Sequence, residues 1–196
     1  MLILSAFYLA YALVAGAEAA AGQGVDVSST TRLDGVMASI RARDPKAGAD
    51  LAARFAGEAE PGIRAWIVRG EAVLKAPQGP TLFKRALADA SPLVRAAAVE
   101  ALAQSQGAAV APDLAVALTS ETNAGVRLTI AFWLGTMTTP ASSSALGRAL
   151  AGDADANVRV QAARSLKQHG TREARRALKA AKDDQDERVR GVVNEP

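Results

Sequence analysis

Apolar residues recur along this chain at helical spacing. Val94, Ala97, Ala98, Ala101 and Leu102 follow the i, i+3, i+4, i+7, i+8 order of a helix face turned to a core. Val126, Thr129, Ile130, Trp133 and Leu134 repeat it with one threonine, and Val158, Gln161, Ala162, Ser165 and Leu166 repeat it at the larger positions. The helix opened by Ile63 departs: Glu71 falls where Leu102, Leu134 and Leu166 fall, with Val73 and Leu74 as the expected compensation. A shorter apolar helix precedes each of these. Phe55, Leu87, Leu118 and Leu150 lie seven or eight residues before Ile63, Val94, Val126 and Val158, and Leu51, Phe83, Leu114 and Leu146 lie four residues earlier again.

The pairs of helices recur with a fixed period. Ile/Val-Arg occurs at Ile63-Arg64, Val94-Arg95, Val126-Arg127, Val158-Arg159 and Val189-Arg190, at spacings of 31, 32, 32 and 31. Five residues before each Ile/Val stands an acid: Glu58, Asp89, Glu121, Asp153 and Asp184. Three residues before it, Ser91, Asn123, Asp155 and Asp186 are suited to cap a helix N-terminus, because a short side-chain oxygen can accept from the free amides of the first turn. Pro61 and Pro92 then take a first helical position, where the missing N–H costs nothing. Pro77 to Pro80, Gly107 to Pro112, Thr139-Pro140 and Gly170 break the chain between paired helices. Leu33, Val36, Met37 and Ile40, followed by Asp44-Pro45 and then Leu51 and Phe55, predict a degenerate first pair. The stretch from Asp186 to Pro196 predicts a closing half-unit whose Val189, Val192 and Val193 are exposed unless they pack on the preceding pair.

These residues resemble HEAT-like repeats, especially the short kind also seen in phycobilisome lyase subunits. The pattern of acid, spacer, Val-Arg and alanine-rich helix stands in Asp89-Ala-Ser-Pro-Leu-Val94-Arg95-Ala-Ala-Ala-Val-Glu-Ala-Leu102 and again from Asp153 to Arg159. The resemblance covers residues 30–196. It implies an all-α fold, an alpha-alpha superhelix (a right-handed solenoid) of about five two-helix repeats plus a terminal half-repeat.

Residues 2–15 read LILSAFYLAYALVA without a charge, and the first charged side chain is Glu18. This length suits the apolar region of a signal peptide better than a span of about 20 residues. Ala15-Gly16-Ala17 and Ala17-Glu18-Ala19 offer small-residue cleavage sites, although no Lys or Arg precedes the apolar run. The expected organisation is a signal peptide or membrane anchor at 1–19, a linker at 20–29 and the repeat domain at 30–196; a buried capping helix is the other reading of the first segment.

Composition narrows the chemistry. Of 196 residues 49% are hydrophobic but only 4% aromatic, with much alanine, which favours closely stacked helices over a sheet. With no cysteine, disulfides, thiolate metal sites and cysteine nucleophiles are excluded, and a single histidine, His169, excludes a multi-histidine metal site. The net charge of +3 is a small excess of 23 cations over 20 anions, little for a dedicated nucleic-acid binder. It is uneven: Arg164 to Arg190 holds nine Lys or Arg against five acids.

The most regular polar feature is the double column of Glu58, Asp89, Glu121, Asp153 and Asp184 with Arg64, Arg95, Arg127, Arg159 and Arg190. Such regularity predicts a structural ladder of charge-assisted hydrogen bonds between repeats. A second line, Arg54, Lys84, Arg85, Arg148, Arg175, Arg176 and Lys179, falls on or near one face of the shorter helices, interrupted by Asp113, Val116 and Ala117. It is the expected partner-binding concave face, a basic groove for an acidic protein segment or a polyanion. Trp66, Phe132 and Trp133 lie at or beside core positions and are expected to be buried. His169, just before Gly170, is expected to interact with a helix dipole at a C-terminus. The chain holds no P-loop, GxGxxG, GxSxG, HExxH or EF-hand pattern; Ser142-Ser143-Ser144 has no base near it in sequence, and Asp183-Asp184 sits beside Lys182 in a turn.

The expected function is therefore a non-enzymatic protein–protein interaction scaffold, without a cofactor, exported to the periplasm or membrane-anchored through residues 2–15, with a cytoplasmic location as the alternative. The Ala, Arg and Gly content resembles that of proteins from high-GC bacteria. Its partner is an unidentified protein, and self-association through the C-terminal half-repeat is open. The alternatives are a nucleic-acid or polyanion binder, as HEAT-like DNA glycosylases imply, and a bilin-lyase-like enzyme subunit.

Overall fold

In a computed structural model, the structure describes residues 27–43 and 45–195. The expected leader or anchor at 1–19 lies outside the described residues. No helix among the described residues is long and apolar enough to cross a membrane.

Among the described residues eleven α-helices and no strands occur. One row holds α1 (Val27–Ala42), α3 (Pro61–Leu74), α5 (Pro92–Gln106), α7 (Ala124–Gly135), α9 (Ala156–His169) and α11 (Glu187–Asn194). The other holds α2 (Pro45–Gly57), α4 (Gly79–Ala86), α6 (Ala111–Ser120), α8 (Pro140–Gly152) and α10 (Arg172–Ala180). Together they make five two-helix units and a half-unit, the all-α stacked-repeat architecture expected. Helix α1 begins at Val27, inside the stretch read as a linker; Arg32 steadies its first turn by donating to the hydroxyls of Ser28 and Ser29 at 2.9 and 3.0 Å.

The apolar stripes meet between the rows. Ile63, Val94, Val126, Val158 and Val189 from the first row and Leu51, Phe83, Leu114 and Leu146 from the second are all buried. Alanines at fully buried crossings, among them Ala97, Ala98, Ala131, Ala162 and Ala163, allow the first-row helices to approach closely. The closest approach is at Gly135, where a Cβ would stand 2.7 Å from the Ser165 Cβ and 3.2 Å from its Cα. Helices α7 and α9 cross there on glycine because nothing larger fits. At the C-terminus Val189 is buried and Val192 and Val193 pack half-buried on the core, the arrangement that hides them on the preceding pair.

Helix ends follow the register with one exception. Asn123, Asp155 and Asp186 accept from the amides of Val126, Asn157 and Arg188. Ser91 does not cap with its side chain. It is extended ahead of Pro92; its own N–H goes to Asp89 Oδ1, and its backbone carbonyl takes the amides of Val94 and Arg95.

The two rows are unequally spaced. First-row helices pack against one another along the whole chain. In the second row α6, α8 and α10 do likewise, but α2 barely reaches α4, and α4 does not pack against α6. Helix α4 has only 8 residues, and a 3-10 turn, Gly107–Val110, intervenes between α5 and α6. The second row is therefore the more widely spaced of the two from α2 to α6.

Candidate interaction surface

The acid and arginine columns interlock into a ladder in which each arginine reaches the acid of the following unit. Arg64 donates Nε and Nη2 to both oxygens of Asp89 at 2.9 Å each. Arg95 grips Glu121 at 2.8 Å twice, Arg127 grips Asp153 at 2.8 Å twice, and Arg159 grips Asp184 at 2.9 and 3.0 Å. The remaining Nη1 of each turns back to carbonyls of its own preceding turn, as in Arg127 to Glu121 and Thr122. The acid meanwhile accepts the amide two residues on: Ser91 for Asp89, Asn123 for Glu121, Asp155 for Asp153 and Asp186 for Asp184. One side chain thus sets the turn and the preceding unit's arginine reads it. The planar fork of a guanidinium is what satisfies a carboxylate and a turn together.

The ends of the ladder differ from its middle. Arg190 pairs with no carboxylate among the described residues and donates to the carbonyls of Asp184 and Gln185. At the start, Arg32 donates Nε to Glu58 at 3.1 Å. Sequence reasoning passed over Arg32 because no Ile or Val precedes it; its distance of 26 residues from Glu58, the same as Arg95 to Glu121, was the available signal. Hydrogen bonds from Arg95 and Arg159 hold the carboxyls of Glu121 and Asp184 below their ordinary range against the opposing effect of burial. For Asp89 and Asp153 burial is the largest single influence and pushes upward, but arginine and backbone donors together outweigh it.

The ladder consumes its charges; the second line leaves its charges free. Arg54, Lys84, Arg85, Arg148, Arg175, Arg176 and Lys179 are all exposed on α2, α4, α8 and α10, and none pairs with a carboxylate among the described residues. Arg85 lies over the Phe55 ring at 5.8 Å, Arg148 donates to the Ser144 hydroxyl, and Arg175 donates to the Gly170 carbonyl. Helix α6 interrupts the line with exposed Asp113, half-buried Ala117, and Val116, 70% exposed. There the gap between α4 and α6 forms a cleft of about 280 Å³ lined by Leu87, Val99, Ala117, Ser120, Thr122, Val126 and Ile130, with Arg95 and Glu121 at its edge.

A larger cleft of about 580 Å³ lies where α3 and α5 end and α4 begins, between Lys75, Pro77, Pro80, Phe83, Gln104 and Ser105. Glu71 belongs to its wall yet is fully buried. Its Oε1 faces Gln78 Nε2 at 3.5 Å, and its Oε2 has no hydrogen-bond partner among the described residues. Burial raises its carboxyl to about 7, opposed by Gln78 and the backbone of Ala52. The compensation expected from Val73 does not occur, since Val73 is half exposed; Leu74 packs on the core.

Two further expectations change. Trp66 is buried with the Arg69 guanidinium 6.0 Å over its ring, and Trp133 is half-buried, but Phe132 is 50% exposed, edge-on to Trp133. Its position in the stripe turns it outward beside Leu128, one helical turn earlier. His169 reaches beyond its own helix end. Its Nε2 donates to the Leu134 carbonyl at 3.1 Å and its Nδ1 accepts from the Ser143 hydroxyl at 3.0 Å, tying α9 to α7 and α8. The serine cluster therefore does have an imidazole beside it. Ser143 and His169 are both buried, and the pair pins the three helices together. No group of three or more metal-ligating side chains gathers among the described residues.

Residues 111–195 match the family model described as HEAT repeats. The resemblance carried by the acid and Val-Arg register is thus shown for the C-terminal units. Human deoxyhypusine hydroxylase, solved in complex with glycerol, is similar with a TM-score of 0.46 and 18% identity, over 87% of this chain and 79% of that one. No curated protein matches the sequence.

Proposed function

We propose that the protein is a non-enzymatic scaffold that holds an acidic protein partner against its second row of helices. One observation carries this reading. The arginines between repeats are spent on carboxylates and turns, whereas seven exposed cations of the second row pair with no carboxylate among the described residues. Free cations in one line attract a complementary anionic surface and speed encounter with it. Stacked repeats supply the long rigid face that such a partner needs, without any reacting group.

The test is recovery of cross-linked partners from the native host, comparing wild type with the Arg85→Glu, Arg148→Glu, Arg176→Glu triple variant. Acidic proteins lost in the variant, with the fold intact by circular dichroism, support the reading. The same partners recovered by both proteins would sink it. Retention of single-stranded DNA with a steep salt dependence, in preference to acidic polypeptides, would move the reading to nucleic acid.

Export through residues 2–15 belongs to the same proposal and rests on their uncharged apolar run. Intact mass of the native protein tests it. Loss of about the first 17 to 19 residues, as the signal-peptide rule expects, supports export, and a full-length cytoplasmic species contradicts it.

A further inference from the structure

We infer that the cleft between α4 and α6 is an anchor site for one apolar side chain of an acidic partner segment, which binds with carboxylates on either side of that anchor. The inference rests on the scaffold reading above and specifies what the interruption in the cationic line is for.

The floor of the cleft is apolar and its rim polar. Its floor is Val99, Val126 and Ile130, and its walls are Leu87 and Ala117. Three of the polar groups around it are already engaged from within. Arg95 and Glu121 hold each other through two bonds of 2.8 Å, and the Ser120 hydroxyl turns to the carbonyls of Val116 and Ala117 in its own helix. At about 280 Å³ the cleft falls just short of the roughly 300–1,000 Å³ range of small-molecule pockets. It is of a size for one large side chain, with exposed Val116 adding an apolar group at the rim.

The charges around it ask for acids. Lys84 stands on α4 to one side of the cleft, and Arg148 stands on α8 beyond α6 on the other; both are exposed and pair with no carboxylate among the described residues, whereas Arg85 turns to the Phe55 ring of α2. The other nearby acids, Asp89 and Glu121, are bound by Arg64 and Arg95. Asp113, one turn before Ala117 on α6, is exposed and has no cationic partner among the described residues, so it opposes an acidic segment. The pattern complementary to this surface is acid, apolar anchor, acid, and removing the charge of Asp113 strengthens it.

The probe is a fluorescent peptide of about a dozen residues, which reaches about 40 Å when extended, with glutamate-rich flanks and one central phenylalanine. Its binding to the whole protein is read by anisotropy at low and physiological salt. The central Phe→Ala peptide is expected to bind at least about tenfold more weakly, the effect of one lost buried aromatic side chain. Lys84→Glu with Arg148→Glu weakens both peptides, Asp113→Asn tightens both two- to threefold by relieving one like charge, and Ala117→Leu, which fills the cleft, abolishes the preference for phenylalanine alone. Because a filled cleft could disturb packing, Val116→Asp at the exposed rim is the second variant, with the same loss of preference expected. Equal binding of the Phe and Ala peptides overturns the anchor site and leaves the scaffold reading standing. Binding of neither overturns both.

Discussion

The guanidinium of Arg127 lies flat against the carboxylate of Asp153, with Nε and Nη2 each 2.8 Å from one oxygen, across a gap of 26 residues in sequence. The same guanidinium closes the turn at Glu121 and Thr122 behind it. Arg127→Ala therefore strands a mostly buried carboxylate and two carbonyls at once. The expected loss is roughly 3 kcal/mol, a fall in Tm on the order of 10 °C. Arg127→Lys recovers less than half of it, because an ammonium cannot serve the carboxylate and the turn together. Thermal unfolding followed by circular dichroism measures both, and an unchanged Tm for Arg127→Ala would remove the ladder from the account of stability.

Glu71 gives the protein an unusual response to pH. Burial raises its folded value to about 7 from 4.5 in the unfolded chain, so the folded state binds the proton more tightly. Its contribution is fully present below about pH 4.5 and disappears as the pH rises through about 7. Urea unfolding should show stability falling from pH 5 to pH 8 by up to about 3 kcal/mol. Glu71→Leu, which restores the leucine of the other units, should flatten the profile and exceed wild type at pH 8. Parallel profiles for the two proteins would refute this.

The ladder acids act in the opposite direction and in another window. Asp89, Glu121, Asp153 and Asp184 have folded values below their ordinary ones, so the stability they contribute is present above the unfolded carboxylate range and is lost as pH falls through the lowered values. Acid unfolding below about pH 4 is the expected result. Substituting Glu121 and Asp153 with their amides should make the remaining stability less sensitive to pH there. A protein whose acid transition is unmoved by both changes would contradict it.

His169 and Gly135 fix how α7, α8 and α9 sit together. His169→Ala leaves the Leu134 carbonyl and the Ser143 hydroxyl without their partner, an expected cost of roughly 1–3 kcal/mol. Gly135→Ala drives a methyl into Ser165 and should cost roughly the same by overpacking. The double change Gly135→Ala with Ser165→Gly should recover part of that loss, although Ser165 also donates to the Ala131 carbonyl. Denaturant midpoints for the single and double variants decide whether the two residues are coupled.

Much of this molecule could be read from local pattern. The buried stripe of Val94, Ala97, Ala98, Ala101 and Leu102 is a property of one helix, and the acid five residues before each Ile/Val is a property of one turn. Repetition every 31 or 32 residues then stacks the units in one way, because each unit has no other face on which to bury its stripe. Arg32 was missed because the residue before it breaks the pattern, and Ser91 was misjudged because the Val94 amide goes to its backbone carbonyl instead of its hydroxyl.

What tertiary structure alone decided lies between units. That α4 stands apart from α6, opening a cleft in the cationic line, depends on how far two helices from different repeats are held apart, and no residue of either encodes that distance singly. The same holds for Phe132 facing water, for His169 finding Ser143 at a separation of 26 residues, and for Glu71 keeping one oxygen without a partner. The period, the helices and the acid and arginine columns follow from spacing along one chain segment, which is why they are legible in the sequence. Burial, pairing and gaps are set by the sum of packing across several segments, so they emerged only once those segments were placed in space.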